Sequence, residues 1–177
     1  MDRIFQSWLE RQHAEGAALA AASDVLSLAP EPESPPRRYI ARFDCRTLVR
    51  VADDVAEWRG CDVHIQFPLN YLRAVPDPAQ IVGLMSPRNL FHPNVAPPFL
   101  CLGHIAPGTS LCELIFQLYE IVTFQKLTPR EDDALNRDAC AWARRNMQRF
   151  PLDARPLRRR VAEFEVSAID HGAANEV

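Results

Sequence analysis

Residues 86–109 hold five prolines in 24 positions, at Pro87, Pro93, Pro97, Pro98 and Pro107. Proline fixes φ and removes a backbone donor, so no regular helix or strand can run through this stretch. The same stretch carries Leu90, Phe91, Val95, Phe99, Leu100 and Leu102. A long irregular segment with its own apolar anchors reads as an ordered, functional loop. It divides the chain into a strand-forming part before it and a helix-forming part after it.

Before the loop, Tyr39–Cys45 has apolar odd positions and Thr47–Val51 is partly β-branched, so it continues or pairs with the first run. Residues 52–54, Ala-Asp-Asp, suit a turn. Cys61–Phe67 alternates with Val63, Ile65 and Phe67 toward a core, and Ile81–Met85 is a short apolar run. Successive strands joined by short turns imply an antiparallel meander. Residues 2–22 read as a helix with Ile4, Phe5, Trp8 and Leu9 on one face and Gly16 as its weak point. The segment 29–38 holds four prolines and reads as a stiff linker. After the loop, Ser110 and Glu113 fit a capping box. It opens a helix with Leu111, Leu114, Ile115, Leu118 and Val122 on one face, widened by Phe116, Tyr119 and Ile121. A last helix spans about 137–149, with Ala139, Trp142, Ala143 and Met147 inward. The expected fold is α+β, an antiparallel sheet flanked by an N-terminal helix and C-terminal helices. The expected parts are an N-terminal helix within 1–28, a linker at 29–38, a core at 39–150 and a basic extension at 151–177. A short strand is possible near Phe164, Val166 and Ala168.

A chain of 177 residues with 47% apolar content builds a core without disulfides or metals. A net charge of −3 gives no reason to expect a nucleic-acid or membrane partner. No apolar run reaches the ~20 residues of a membrane span, and the N-terminus lacks the apolar stretch of a signal peptide. The five cysteines are odd in number and contain no CxxC. Free thiols in a reducing cytoplasm follow, with no metal and no cofactor expected.

The chemistry concentrates in the loop: Phe91-His92-Pro93-Asn94-Val95, then Phe99-Leu100-Cys101-Leu102, with Cys101 seven residues after Asn94. Downstream lies Asp132-Asp133-Ala134-Leu135-Asn136. A thiol carries an acyl group well as a thioester, being nucleophilic and a good leaving group. A neutral amide such as Asn94 can stabilise the oxyanion of acyl transfer. A carboxylate such as Asp133 can orient an incoming amine and take its proton. Each residue also has a plainer use. Buried cysteines pack as small apolar groups, which suits Cys45, Cys61, Cys112 and Cys140. Asn94 can stabilise a turn. Asp132 or Asp133 can cap the next helix, and one of the two can do each job. His104 reads first as a solvated loop histidine and second as a group that tunes Cys101.

The His-Pro-Asn tripeptide, the cysteine spacing, the acidic turn and the element order resemble the ubiquitin-conjugating-enzyme family over about residues 39–150. The resemblance implies a ubiquitin-conjugating fold and a transferase. In it, Cys101 carries a ubiquitin-like protein as a thioester and passes it to an amine. It implies Asn94 and Asp133 as catalytic partners and His92, with Pro93, as the structural pin of the loop; Asp132, in the acidic turn, and His104, three residues after Cys101, are read as supporting residues. This sequence has Tyr71-Leu72 where the family has tyrosine-proline, Pro97-Pro98 before the cysteine, and no tryptophan after it. The Arg-rich, Lys-poor composition and these departures look like the divergent bacterial relatives, which resemble parts of bacterial ubiquitin-like conjugation systems, including those of antiviral defence. The implied partners are an activating enzyme, a ubiquitin-like protein and a metalloprotease that reverses the modification. A non-catalytic binding module on the same fold and a cysteine hydrolase using Cys101 with His104 or His92 are the alternatives. Of 20 basic residues only Lys126 is a lysine. Genome composition accounts for this. So does protection of a loaded thioester, which leaves Lys126 as the one side chain able to accept the acyl group in the same molecule.

Overall fold

A computed structural model of the chain describes residues 2–75 and 77–159. The possible strand near Phe164, Val166 and Ala168, and the end of the basic extension, lie outside the described residues. The architecture is α+β. Helix α1 (Arg3–Ala21) leads into a four-stranded antiparallel sheet, β1 (Leu26–Pro30), β2 (Arg38–Val51), β3 (Asp54–Gln66) and β4 (Val82–Ser86), in sequential order. A one-turn helix α2 (Pro78–Ile81) precedes β4. The loop contains a two-residue-per-arm hairpin, β5 (Val95–Ala96) and β6 (Phe99–Leu100). Helices α3 (Leu111–Val122) and α4 (Arg137–Arg145) follow.

The alternation read from the sequence sets the sheet's inner face. Tyr39, Ala41, Phe43 and Cys45 of β2 and Cys61, Val63 and Ile65 of β3 are buried, as are Val82 and Leu84 of β4. The runs 39–45 and 47–51 form one 14-residue strand. A register shift between Phe43 and Arg46 absorbs the break in alternation. Helices α1 and α3 cover this face. In α1, Phe5, Trp8, Leu9 and Leu19 are buried, and the Trp8 ring meets Phe67 edge-on at 4.9 Å. Helix α3 begins with the capping box expected of Ser110 and Glu113 and is buried at Leu111, Leu114, Ile115, Leu118, Tyr119, Ile121 and Val122. The buried Gln12 side chain accepts from the Leu111 N–H at 2.8 Å, joining α1 to the first turn of α3.

Four expectations need correction. Residues 26–30 are a strand paired with Tyr39–Phe43, so the linker expected at 29–38 begins inside the sheet. Pro30 is compatible with this because β1 is an edge strand. Ile4, expected inward, is 73% exposed, since Phe5 and Trp8 define the buried stripe. Phe116 is exposed on the outer side of α3. Met147 is exposed because α4 stops at Arg145 and the following 3₁₀ turn, Met147–Arg149, breaks the helical period. Helix α4 packs in a separate cluster of Leu48, Phe91, Phe124, Ala139, Ala143 and Leu152, with Trp142 and Phe150 alongside.

Gly16 is a close approach rather than a weak point. A Cβ there would sit 2.7 Å from Leu111 Cδ2 and 3.0 Å from Leu28 Cδ2. Gly16→Val should therefore lower stability by about 1–3 kcal/mol in urea unfolding, as an overpacked core does. An unchanged midpoint would show that α1 and α3 do not pack this closely.

Candidate functional site

The proline-rich loop is held as a small hairpin. Val95 pairs with Leu100 and Ala96 with Phe99, and Pro97-Pro98 makes the turn. The Pro98 carbonyl accepts from Leu84 N–H at 2.8 Å, which docks the hairpin on the edge strand β4. At the foot of the hairpin, Cys101 N–H donates to the Asn94 carbonyl at 2.8 Å. Asn94 and Cys101 thus face each other one step beyond the β5–β6 ladder. The seven-residue spacing is the length of this hairpin.

The Asn94 side chain, only 6% exposed, ties two segments together. Its Nδ2 donates to the Cys101 carbonyl at 3.3 Å, and its Oδ1 accepts from Thr128 N–H at 2.8 Å. His92 fixes the entry to the hairpin. Its Nδ1 accepts from Asn94 N–H at 2.9 Å, its carbonyl accepts from Val95 N–H at 3.0 Å, and its ring meets Phe124 edge-on at 4.3 Å. Nε2 is buried without a hydrogen-bond partner of normal geometry, although the Lys126 backbone lies close enough to compensate in part. Loss of hydration lowers the His92 pKa to about 3, so the ring is neutral and committed to the loop. Pro93 is buried, and its carbonyl accepts from Asn136 N–H at 3.1 Å. That bond ties the loop to the start of α4.

The acidic turn lies beside this connection. Glu131–Asp133 is a 3₁₀ turn, and both Asp132 and Asp133 are exposed. Asp133 faces Arg130 at 3.7 Å, with its side chain 63% exposed. Neither aspartate caps α4. Asn136 does, accepting from Ala139 N–H at 2.9 Å. An exposed carboxylate on a turn tied to the loop is able to meet an incoming cation. His104 is exposed on the segment after Cys101.

Cys101 is half-buried on the segment just after β6, as is Cys112 in the first turn of α3. Cys45, Cys61 and Cys140 are buried. Loss of hydration pushes Cys45 up to about 12, and it also raises Cys61, Cys112 and Cys140. Among the described residues no cluster of three His, Cys, Asp or Glu side chains could hold a metal ion, and no helix is long and apolar enough to cross a membrane.

The structure therefore brings His92, Pro93, Asn94 and Cys101 into one bonded unit. Asp132 and Asp133 lie on the segment between two ties to that unit, Thr128 N–H to Asn94 Oδ1 and Asn136 N–H to the Pro93 carbonyl, and His104 lies outside it. Sequence reasoning missed Thr128, which contributes only a backbone N–H and so leaves no signal in its side chain. It also missed Asn136 as the cap, although asparagine three residues before Ala139 is a recognisable N-cap signal. No family model matches the chain, and no curated protein matches it significantly.

The buried neutral His92 has a consequence for acid stability. Its folded pKa lies below the ordinary 6.5, so the unfolded chain takes up a proton that the folded chain refuses. The stability from this group is complete above about pH 6.5 and falls as pH drops toward about 3, by at most about 1.4 kcal/mol per pH unit. Asp153, lowered to about 2 chiefly by its hydrogen bond from Arg155, adds a similar loss only below its ordinary 3.8. Urea unfolding between pH 7 and 4.5 should show the His92 slope. His92→Asn can still accept from the Asn94 N–H but does not titrate, and it should flatten that slope. An equal slope in both proteins would contradict the assignment.

Proposed function

We propose that this chain is a ubiquitin-conjugating-enzyme-like transferase that carries the C-terminus of a ubiquitin-like protein as a thioester on Cys101. The observation that carries the reading is the bonded unit at the foot of the hairpin. Cys101, whose thiol is half-buried, is joined through both its backbone groups to Asn94, its N–H to the Asn94 carbonyl and its carbonyl to the Asn94 side-chain amide. In the first step the Cys101 sulfur attacks the thioester carbonyl on an activating enzyme, whose own thiolate leaves. In the second step an amine attacks the Cys101 thioester. Asn94 Nδ2 carries two hydrogens, and the Cys101 carbonyl accepts from one of them. The other would be directed at the oxyanion of the tetrahedral intermediate. Asp133, exposed on the neighbouring turn, would attract the ammonium and take its proton.

The hydrolase alternative needs a histidine base. His92 is buried, takes up a second proton only near pH 3, and uses Nδ1 on the loop itself. That arrangement suits a pin rather than a base and removes one of the two histidines on which the hydrolase alternative could draw. Partners of this reading are an activating enzyme and a ubiquitin-like protein, with a reversing metalloprotease in the same bacterial system. Reconstitution with ATP, a candidate activating enzyme and its ubiquitin-like protein tests it. The expected product is an adduct cleaved by dithiothreitol, replaced in Cys101→Ser by a more stable oxyester. An adduct that resists thiols in the native protein from its first appearance would overturn the reading.

A further inference from the structure

The chain's single lysine is placed against the proposed acyl site. Lys126 Nζ donates to the carbonyl of Leu102, the residue after Cys101, at 3.4 Å. The Lys126 backbone N–H is fixed by the Glu120 carbonyl at 3.0 Å, just past the end of α3. The residue is exposed, so its four-carbon stem can swing without repacking the core. Every other basic side chain of the 20 is an arginine, which keeps its proton and cannot act as a nucleophile here.

We infer, building on the reading of Cys101 above, that Lys126 is an acceptor in cis that ends the loaded state by taking the acyl group itself. The neutral Nζ attacks the carbonyl carbon of the Cys101 thioester. A C–N bond forms, the C–S bond breaks, and the electron pair leaves with Sγ. The proton lost by nitrogen passes through water to the released thiolate. The product is an isopeptide on Lys126 and a free Cys101 thiol beside it, with the lysine's charge gone and the acyl chain lying over the mouth of the site. Donor and acceptor on one rigid scaffold make this step effectively unimolecular, and effective molarity makes it fast. A loaded protein without a substrate would thereby shut itself off.

The test needs no partner protein. The full chain is treated with a short peptide ending in Gly-Gly as its 2-mercaptoethanesulfonate thioester, excess reagent is removed, and the adduct is followed by intact mass and by peptide mapping. The expected course is a dithiothreitol-sensitive adduct on Cys101. It then turns into a dithiothreitol-resistant amide on Lys126, at a rate that rises with pH and does not depend on protein concentration. Lys126→Arg keeps the charge and a donor for the Leu102 carbonyl. It should lengthen the thioester lifetime by about tenfold or more, and adding Arg144→Lys on exposed α4 should not restore the fast decay. Equal lifetimes in the native protein and Lys126→Arg would overturn this inference while leaving the thioester reading intact. So would a rate proportional to protein concentration, or the same amide forming equally fast in Cys101→Ala. If Cys101 takes no acyl group at all from this reagent, the inference falls, and loading by an activating enzyme decides the reading beneath it.

Discussion

Cys101→Ala is expected to abolish the thiol-labile adduct entirely, whereas removing any other cysteine should leave it in place. The other four thiols differ from it in position. Cys45 and Cys61 are on the inner face of the sheet, both fully buried. Cys140 is buried in α4 and its Sγ donates to the Thr128 carbonyl at 3.3 Å. Cys112 is half-buried in the first turn of α3 and raised by loss of hydration. A thioester needs both a thiolate and room for the acyl chain, and of the five cysteines Cys101 alone lies outside the helices and strands. Single Cys→Ala variants at 45 and 61 should lose stability through the space left behind, yet still load when folded. Loading that survives in Cys101→Ala would remove the basis of the account.

Asn94→Ala should slow transfer from the thioester to an amine by about 10²–10³, the usual cost of losing one oxyanion donor. It should cost stability too, because the side chain satisfies the Thr128 N–H and the Cys101 carbonyl at once. Two changes would then be confounded, and Asn94→Asp separates them. The aspartate keeps an oxygen for the Thr128 N–H but presents a second oxygen, not a donor, to the Cys101 carbonyl. Loading of a folded Asn94→Asp protein should continue while discharge to free lysine falls. Asp133→Ala leaves the loop bonds alone and should slow discharge most at lower pH, where fewer amines are neutral. Single-turnover discharge at several pH values reads both effects. Equal losses in loading and discharge would reduce Asn94 to a structural brace.

The parts legible from sequence were those with local causes. Alternation in 61–67 gave the buried face of β3, and the Ser110–Glu113 pair marked the start of α3 before any packing was known. The hairpin inside the proline-rich loop was not legible. Its strands are two residues each, too short for a period to show, and they persist because Leu84 and Asn94 bind them from outside. β1 was hidden for a related reason: Leu26–Pro30 is an exposed edge strand whose burial barely alternates. The site divides in the same way. The His92, Asn94 and Cys101 cluster followed from spacing along one loop. The brace from Thr128, the tie from Asn136 to Pro93 and the reach of Lys126 to Leu102 are long-range contacts that each use at least one backbone group, and no side-chain pattern announces them.

The most direct measurement is site-resolved mass spectrometry of the native protein after loading with a ubiquitin-like protein by an activating enzyme, quenched in acid to preserve thioesters. The account predicts that all thiol-labile acyl groups sit on Cys101. Acyl groups on Cys112 or another cysteine, or a protein that stays unacylated beside an activating enzyme charged with its own modifier, would contradict it.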